Sequence, residues 1–273
     1  MTARPVSIPD TEAHSIRSRH VDTDFELWIA RPQQGFAPPR PGPARVLYVL
    51  DANLFFGTAV EMTRLMHKLY GELPALHIVG IAYPTDDMFT QGALRTRDFT
   101  PSEDARMAEM AATFPQPPTQ VEVEPAMGGA ASFLRFLTDE VGPLVGDIIA
   151  SPDHESILFG SSLGGLFAAH VYLHDPRTFD HYIAVSPALW WNGAEALHSM
   201  PAIVQAHRDA GLYLAVGGLE ESPRIPALAP FKMVTHARTL ADRLGCDIEV
   251  LDGETHTSVV PVALCRGLRA LVG

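Results

Sequence analysis

The stretch ILFGSSLGGLFAAH, residues 157–170, constrains this chain more tightly than any other. An apolar run leads into two serines set among glycines, and a helix-forming run leaves them. The pattern G-x-S-x-G fits in one register only, with Gly160, Ser162 and Gly164, because centring it on Ser161 would need glycine at Phe159 and Leu163. Such a pattern suits a strand that turns sharply into a helix, with the serine strained at the apex and side chains excluded two residues to either side. SILF (156–159) reads as the buried strand, and LGGLFAAHVYL (163–173) as a helix packed closely through small residues. Gly-Ser clusters also punctuate ordinary turns, so a nucleophilic Ser162 requires partners elsewhere in the chain.

Around that turn, apolar runs of strand length alternate with helical patterns. HSIRSRHVDTDFELWIARP (14–32) reads as two antiparallel strands joined near Asp22–Asp24. ARVLYVLD (44–51) has the continuous apolar character of a central parallel strand. A helix over 57–71 and a strand over 75–84 follow. Residues 85–129 read as a long, irregular, lid-like segment. Beyond it come a helix over 131–145, strands over 181–187 and 211–220, a helix over 231–245, a strand over 246–253 and a last helix from about Val259. This order predicts an α/β fold: a mainly parallel sheet with helices on both faces and an N-terminal antiparallel hairpin, in a single domain spanning 1–273.

In such a sheet, reactive groups gather at the carboxyl ends of the strands. A serine hydroxyl is a weak nucleophile at neutral pH. It needs an imidazole to take its proton and a carboxylate to orient the imidazole, in the chain order Ser, Asp/Glu, His. His256, in DGETHTSVVP between the last strand and the last helix, occupies the expected place for the base. Glu220 ends the strand GLYLAVGGLE and is the expected acid, with Asp252 and Glu254 as alternatives. The amide of Leu163 and one from LDANLFFG, either Asn53 or Leu54, would stabilise an oxyanion. His170 and His174 have the i, i+4 spacing of metal ligands. No further ligand cluster accompanies them, and neither a metal nor a cofactor is expected.

The formal net charge of −12 argues against non-specific binding to nucleic acid or anionic lipid, which leaves a small molecule or a partner protein as the expected ligand. No apolar run approaches membrane-spanning length, the N-terminal residues carry no secretory h-region, and only two cysteines occur; a cytoplasmic location is the expectation.

Seven blocks, taken together, resemble one family: VLYVLDANLFFG, RTRDFTP, GGAASFLRFLTDEVGPLV, ILFGSSLGGLFAAH, DPRTFDHYIAVSPALWWN, AVGGLEES and GETHTSVVP. The chain resembles the esterase-D-like "putative esterase" branch of the α/β-hydrolases, most closely its siderophore-esterase group, which hydrolyses catecholate trilactones. The resemblance implies Ser162 as nucleophile, His256 as base and Glu220 at the acid position, although some relatives work with a Ser-His dyad. It implies substrate-facing arginine at Arg95 and Arg97, and an aromatic pair at Trp190 and Trp191 beside the site. Relatives usually carry histidine where this chain has Ser161. Read from the residues alone, each guanidinium either forks onto an anionic or catecholate ester or pairs with Asp98 or another acid. The tryptophans either stack on substrate or pack the core. The expected activity is carboxylic ester hydrolysis through an acyl-enzyme. Acyl transfer or feruloyl-type and short-chain ester hydrolysis on the same residues, and an inactive binding protein on a hydrolase scaffold, are the alternatives.

Overall fold

The computed structural model describes residues 6–36, 38, 40–111, 126–198 and 210–273. Eight strands form one sheet in the order β1-β2-β4-β3-β5-β6-β7-β8. β1 (Thr11–Arg17) and β2 (Asp24–Ala30) make the antiparallel hairpin, and β2 pairs antiparallel with β4 (Leu76–Ala82). From there β3 (Arg45–Val49), β5 (Glu155–Ser161), β6 (His181–Val185), β7 (Gly211–Gly217) and β8 (Glu249–Leu251) run parallel. The predicted α/β architecture and its hairpin are therefore present.

The apolar runs alternate faces with period two. Val46, Tyr48, Leu158, Tyr182, Ala184, Leu214 and Val216 point to one core. Leu47, Val49, Ile157, Phe159, Ile183, Val185 and Ala215 point to the other. Both faces are covered, which explains why the central strands read as uninterrupted apolar runs. Helices α1 (Ala52–Tyr70) and α9 (Val259–Val272) pack on the second face. The first is covered by α2 (Met88–Phe99), α4 (Ala130–Arg135), α6 (Leu163–His174) and α8 (Met233–Leu244). Gly80 of β4 lets α1 approach closely: a Cβ there would lie 2.7 Å from the Ala52 Cβ. Among the described residues, no helix is long and apolar enough to cross a membrane.

Two expectations are corrected. Most of the described part of 85–129 is helical, as α2 and the short α3 (Ala105–Ala111), while residues 112–125 of that segment lie outside the described residues. Asp87 caps α2 by accepting the Thr90 amide at 2.9 Å. Only Asp98 and Phe99 of α2 are buried, so the helix lacks the apolar stripe that would have revealed it. The helix expected over 131–145 is also not regular. It widens to a π-helical turn over Phe136–Val141 before continuing as α5 (Gly142–Ile148). Pro143 has no amide hydrogen to give and its ring crowds the preceding turn, and the wider turn accommodates both.

Candidate active site

β5 delivers the chain to Ser162 and α6 leaves from it. Ser162 has φ 58° and ψ −117°, a conformation L-residues rarely adopt, at a cost of about 1–3 kcal/mol. Three backbone hydrogen bonds hold it there. Its amide donates to Val185 O at 3.0 Å, and its carbonyl accepts from Leu166 at 2.8 Å and Ala188 at 3.0 Å. Gly160 is obligatory for this turn, because a Cβ on it would lie 2.1 Å from the Gly164 carbonyl oxygen. Gly164 is less confined: its Cβ would touch Asp51 Oδ2 at 3.4 Å. Ser161 is buried at 3% exposure, whereas Ser162 is half-buried at the apex. The glycine register and the exposure thus select the same serine.

Glu220 follows β7 and is fully buried. Its Oε2 lies 2.8 Å from His256 Nδ1, and its Oε1 accepts from the Ser186 hydroxyl at 2.5 Å and the Gly217 amide at 2.8 Å. Three donors offset the cost of burying this carboxylate. Gly217 has no room for a side chain: a Cβ would lie 2.7 Å from Glu254 O and 2.9 Å from Glu220 Oε1. That glycine lets the loops after β7 and β8 close on each other, which brings Glu220 to His256. The alternative carboxylates are placed otherwise. Glu254 accepts from Ser258 at 2.5 Å, and Asp252 is exposed. Glu221, next to Glu220, turns away to accept the Thr235 amide and hydroxyl. With Nδ1–H donating to Glu220, the His256 Nε2 lone pair is left to accept a proton.

Near the end of β3, Asp51 adopts a left-handed conformation (φ 53°, ψ 46°) and starts α1. Of the two expected oxyanion donors here, the Leu54 amide is already given to Asp51 O at 2.9 Å. This removes Leu54 and leaves Asn53, whose amide lies in the first turn, where helices have no internal acceptor. The Asn53 side chain accepts the Tyr83 amide at 2.9 Å and donates to Tyr83 O at 3.0 Å, tying this turn to the end of β4.

The arginines pair with carboxylates. Arg95 forks onto Asp51, with Nε and Nη2 each 2.8 Å from a carboxylate oxygen. Arg97 forks onto Asp98 at 2.7 and 3.0 Å and gives Nη1 to Thr23 at 2.8 Å. Tyr83 also donates to Asp98, at 3.0 Å. The two tryptophans separate. Trp191 is 1% exposed and donates to Ser102 O at 3.0 Å, so it packs the core and offers no ring to a ligand. Trp190 is half-buried and stacks obliquely on Phe231, ring centres 4.5 Å apart. His170 and His174 stack on each other at 4.1 Å, and among the described residues no group of three or more candidate ligands gathers.

Sequence reasoning missed Ser186, Asp51 and Phe231. Ser186 and Asp51 owe their roles to left-handed backbones at non-glycine residues (φ 44° and 53°), which leave no trace in the sequence. Phe231 lies far along the chain from Trp190, and only the fold brings them together.

This geometry belongs to a recognised group. The family model described as "Putative esterase" matches residues 30–246. The chain is 33% identical to the ferri-bacillibactin esterase BesA of Bacillus subtilis (strain 168), over 98% of this chain and 91% of that one. It is 30% identical to a siderophore triacetylfusarinine C esterase of Aspergillus fumigatus, over 83% and 81% respectively. The crystal structure of the BES protein from Bacillus cereus superposes with a TM-score of 0.80 at 28% identity, covering both chains completely. The chain is a member of this esterase family and a carboxylic ester hydrolase with the α/β-hydrolase fold.

Proposed function

We propose that this protein is a serine esterase that opens ester bonds of a siderophore-type substrate through an acyl-enzyme. The observation that carries the reading is the strained Ser162 elbow on the same sheet end as the pair formed by half-buried His256 and buried Glu220. His256 Nε2 takes the Ser162 proton as Oγ attacks the carbonyl carbon, and the amides of Leu163 and Asn53 hold the resulting oxyanion. The proton passes from His256 to the departing alkoxide, and an alcohol leaves. Water then gives a proton to His256 and its oxygen to the acyl carbon, and the proton returns to Ser162 as the acid is released. Glu220 accepts the His256 Nδ1 hydrogen and so fixes the imidazole tautomer. Ser162 and water each supply one proton to this cycle, and His256 carries both.

The substrate class comes from the relatives, which are named as esterases of ferri-bacillibactin and of triacetylfusarinine C. The Trp190–Phe231 surface suits the aryl rings of a catecholate. With Arg95 and Arg97 paired to carboxylates, recognition rests on that aromatic surface more than on cations. The whole chain acts as one catalytic domain, in the cytoplasm. Two measurements test the reading. A fluorophosphonate should label Ser162 stoichiometrically, as located by mass spectrometry. Turnover of a ferric catecholate trilactone should exceed that of feruloyl, short-acyl and thioester substrates. Labelling elsewhere, or preference for a short acyl ester, would overturn the mechanism or the substrate class respectively.

A further inference from the structure

Asp51 is an unusual residue to find beside an oxyanion site. It is 4% exposed and non-glycine in a left-handed conformation, and it carries a negative charge next to where negative charge would develop. Its three functional parts all face the machinery. The carbonyl accepts the amides of Leu54 and Phe55 at 2.9 and 3.1 Å and so starts α1. The main chain leads within two residues to Asn53. The carboxylate packs against the first turn of α6: Oδ2 lies 3.4 Å from where a Cβ on Gly164 would be, one residue beyond Leu163. Both carboxylate oxygens are occupied by Arg95, which reaches across from α2 and lays its guanidinium 5.6 Å from the centre of the buried Phe99 ring.

We propose that Arg95 is a positioning residue that acts through Asp51: it holds the turn carrying the Asn53 amide and neutralises a carboxylate that would otherwise oppose the oxyanion. This rests on the serine-esterase reading. The fork orients the carboxylate as a planar pair, which one point charge cannot do. It also engages both oxygens beside the first turn of α6, whose amides would draw an unpaired carboxylate. Removing the guanidinium alone is therefore worse than removing both charges. This role differs from grasping an anionic substrate with the same fork, because Nε and Nη2 are both given to Asp51.

The test compares Arg95→Gln, Arg95→Lys, Asp51→Asn and the double variant Asp51→Asn/Arg95→Gln on two aryl esters, one neutral and one anionic. Circular dichroism and thermal melting establish that each variant is folded. Arg95→Gln should lower kcat about 10- to 100-fold on both esters with KM changed less than about threefold, a fraction of the loss seen when an oxyanion donor is deleted. Phosphonylation by a fluorophosphonate should slow in parallel, because its P=O occupies the same donors. Arg95→Lys should recover part of kcat, and adding Asp51→Asn to Arg95→Gln should recover part as well. Should Arg95→Gln fail to fold, Arg95→Lys, which keeps the charge but loses the planar fork, carries the kcat test with a smaller loss on both esters. Unchanged kcat on both esters, or a KM increase confined to the anionic ester, would overturn the proposal. The serine reading fails separately, if the unaltered protein is not labelled at Ser162.

Discussion

The Ser186 hydroxyl donates to the Glu220 carboxylate at 2.5 Å, wholly inside the protein, on the oxygen opposite the one that faces His256. Ser186 stands just past the end of β6 with its amide on Ala215 O at 2.7 Å, so a neighbouring strand braces the acid. Ser186→Ala leaves Glu220 the Gly217 amide and His256 but frees one oxygen inside the core. We expect kcat to fall about tenfold, with KM nearly unchanged, the scale of one charge-assisted hydrogen bond. Glu220→Gln should cost more, about 10²- to 10⁴-fold in kcat, because an amide can no longer fix the imidazole tautomer. Steady-state kinetics on one neutral ester measures both.

Ser162→Ala should abolish ester hydrolysis in a folded protein, while Ser161→Ala retains most activity. Ser161 is buried behind the turn and Ser162 stands at its apex. Activity lost with Ser161 and kept without Ser162 would reverse the assignment.

Gly160→Ala should destabilise the fold by about 3 kcal/mol or more, since its new methyl would meet the Gly164 backbone rather than a movable side chain. Gly164→Ala meets Asp51 Oδ2 and the Leu50 side chain at 3.4–3.7 Å, ordinary contact distances, and should be far milder. Denaturant midpoints of the two variants, read side by side, check the contrast.

Trp190→Ala should raise KM for an aryl ester about two- to tenfold, the range of one aromatic contact, and leave a short alkyl ester unaffected. Trp191→Ala should instead lower thermal stability, because that ring fills the core. A pair of melting curves and a pair of KM values separate the two roles.

Acid should weaken the fold through His77 and His170. Burial pushes each imidazole down to about 4 from an ordinary 6.5, with Arg31 adding to the effect at His77 and His174 at His170. Between those values the unfolded chain binds more protons than the folded one, so their contribution to stability is present above about pH 6.5 and lost as pH falls towards 4. His170→Gln should reduce the drop in urea midpoint between about pH 7 and about pH 5. An undiminished drop would mean other groups govern the acid limb.

Much of this was legible in the residues. Strands buried on both faces announce themselves as apolar runs, and Gly160, Ser162 and Gly164 admit only one register. Strand ends and chain order point to His256 and to Glu220 with Asp252 and Glu254 beside it, and only the fold shows which carboxylate meets the imidazole. What could not be read shares one physical cause: it depends on contacts between distant segments or on backbone angles. Asp51 resembles any strand-end acid until its left-handed turn is seen, and Arg95 has the same composition as a substrate-binding arginine. Trp190 and Trp191 are adjacent in sequence, yet one joins the core and the other faces Phe231. Helix α2 reads as a loop in the sequence because only Asp98 and Phe99 of it are fully buried, which leaves no apolar stripe.

The sheet order has a kinetic consequence. The proposed oxyanion turn follows β3, the elbow follows β5, the proposed acid β7 and the proposed base β8, and β3 and β5 pair across more than a hundred intervening residues. Parallel pairings of this range close large loops and form slowly compared with the helices. During refolding from denaturant, far-ultraviolet ellipticity should therefore return well before ester hydrolysis does. Catalysis in this protein reports completion of the whole sheet, strand by strand, out to its last edge.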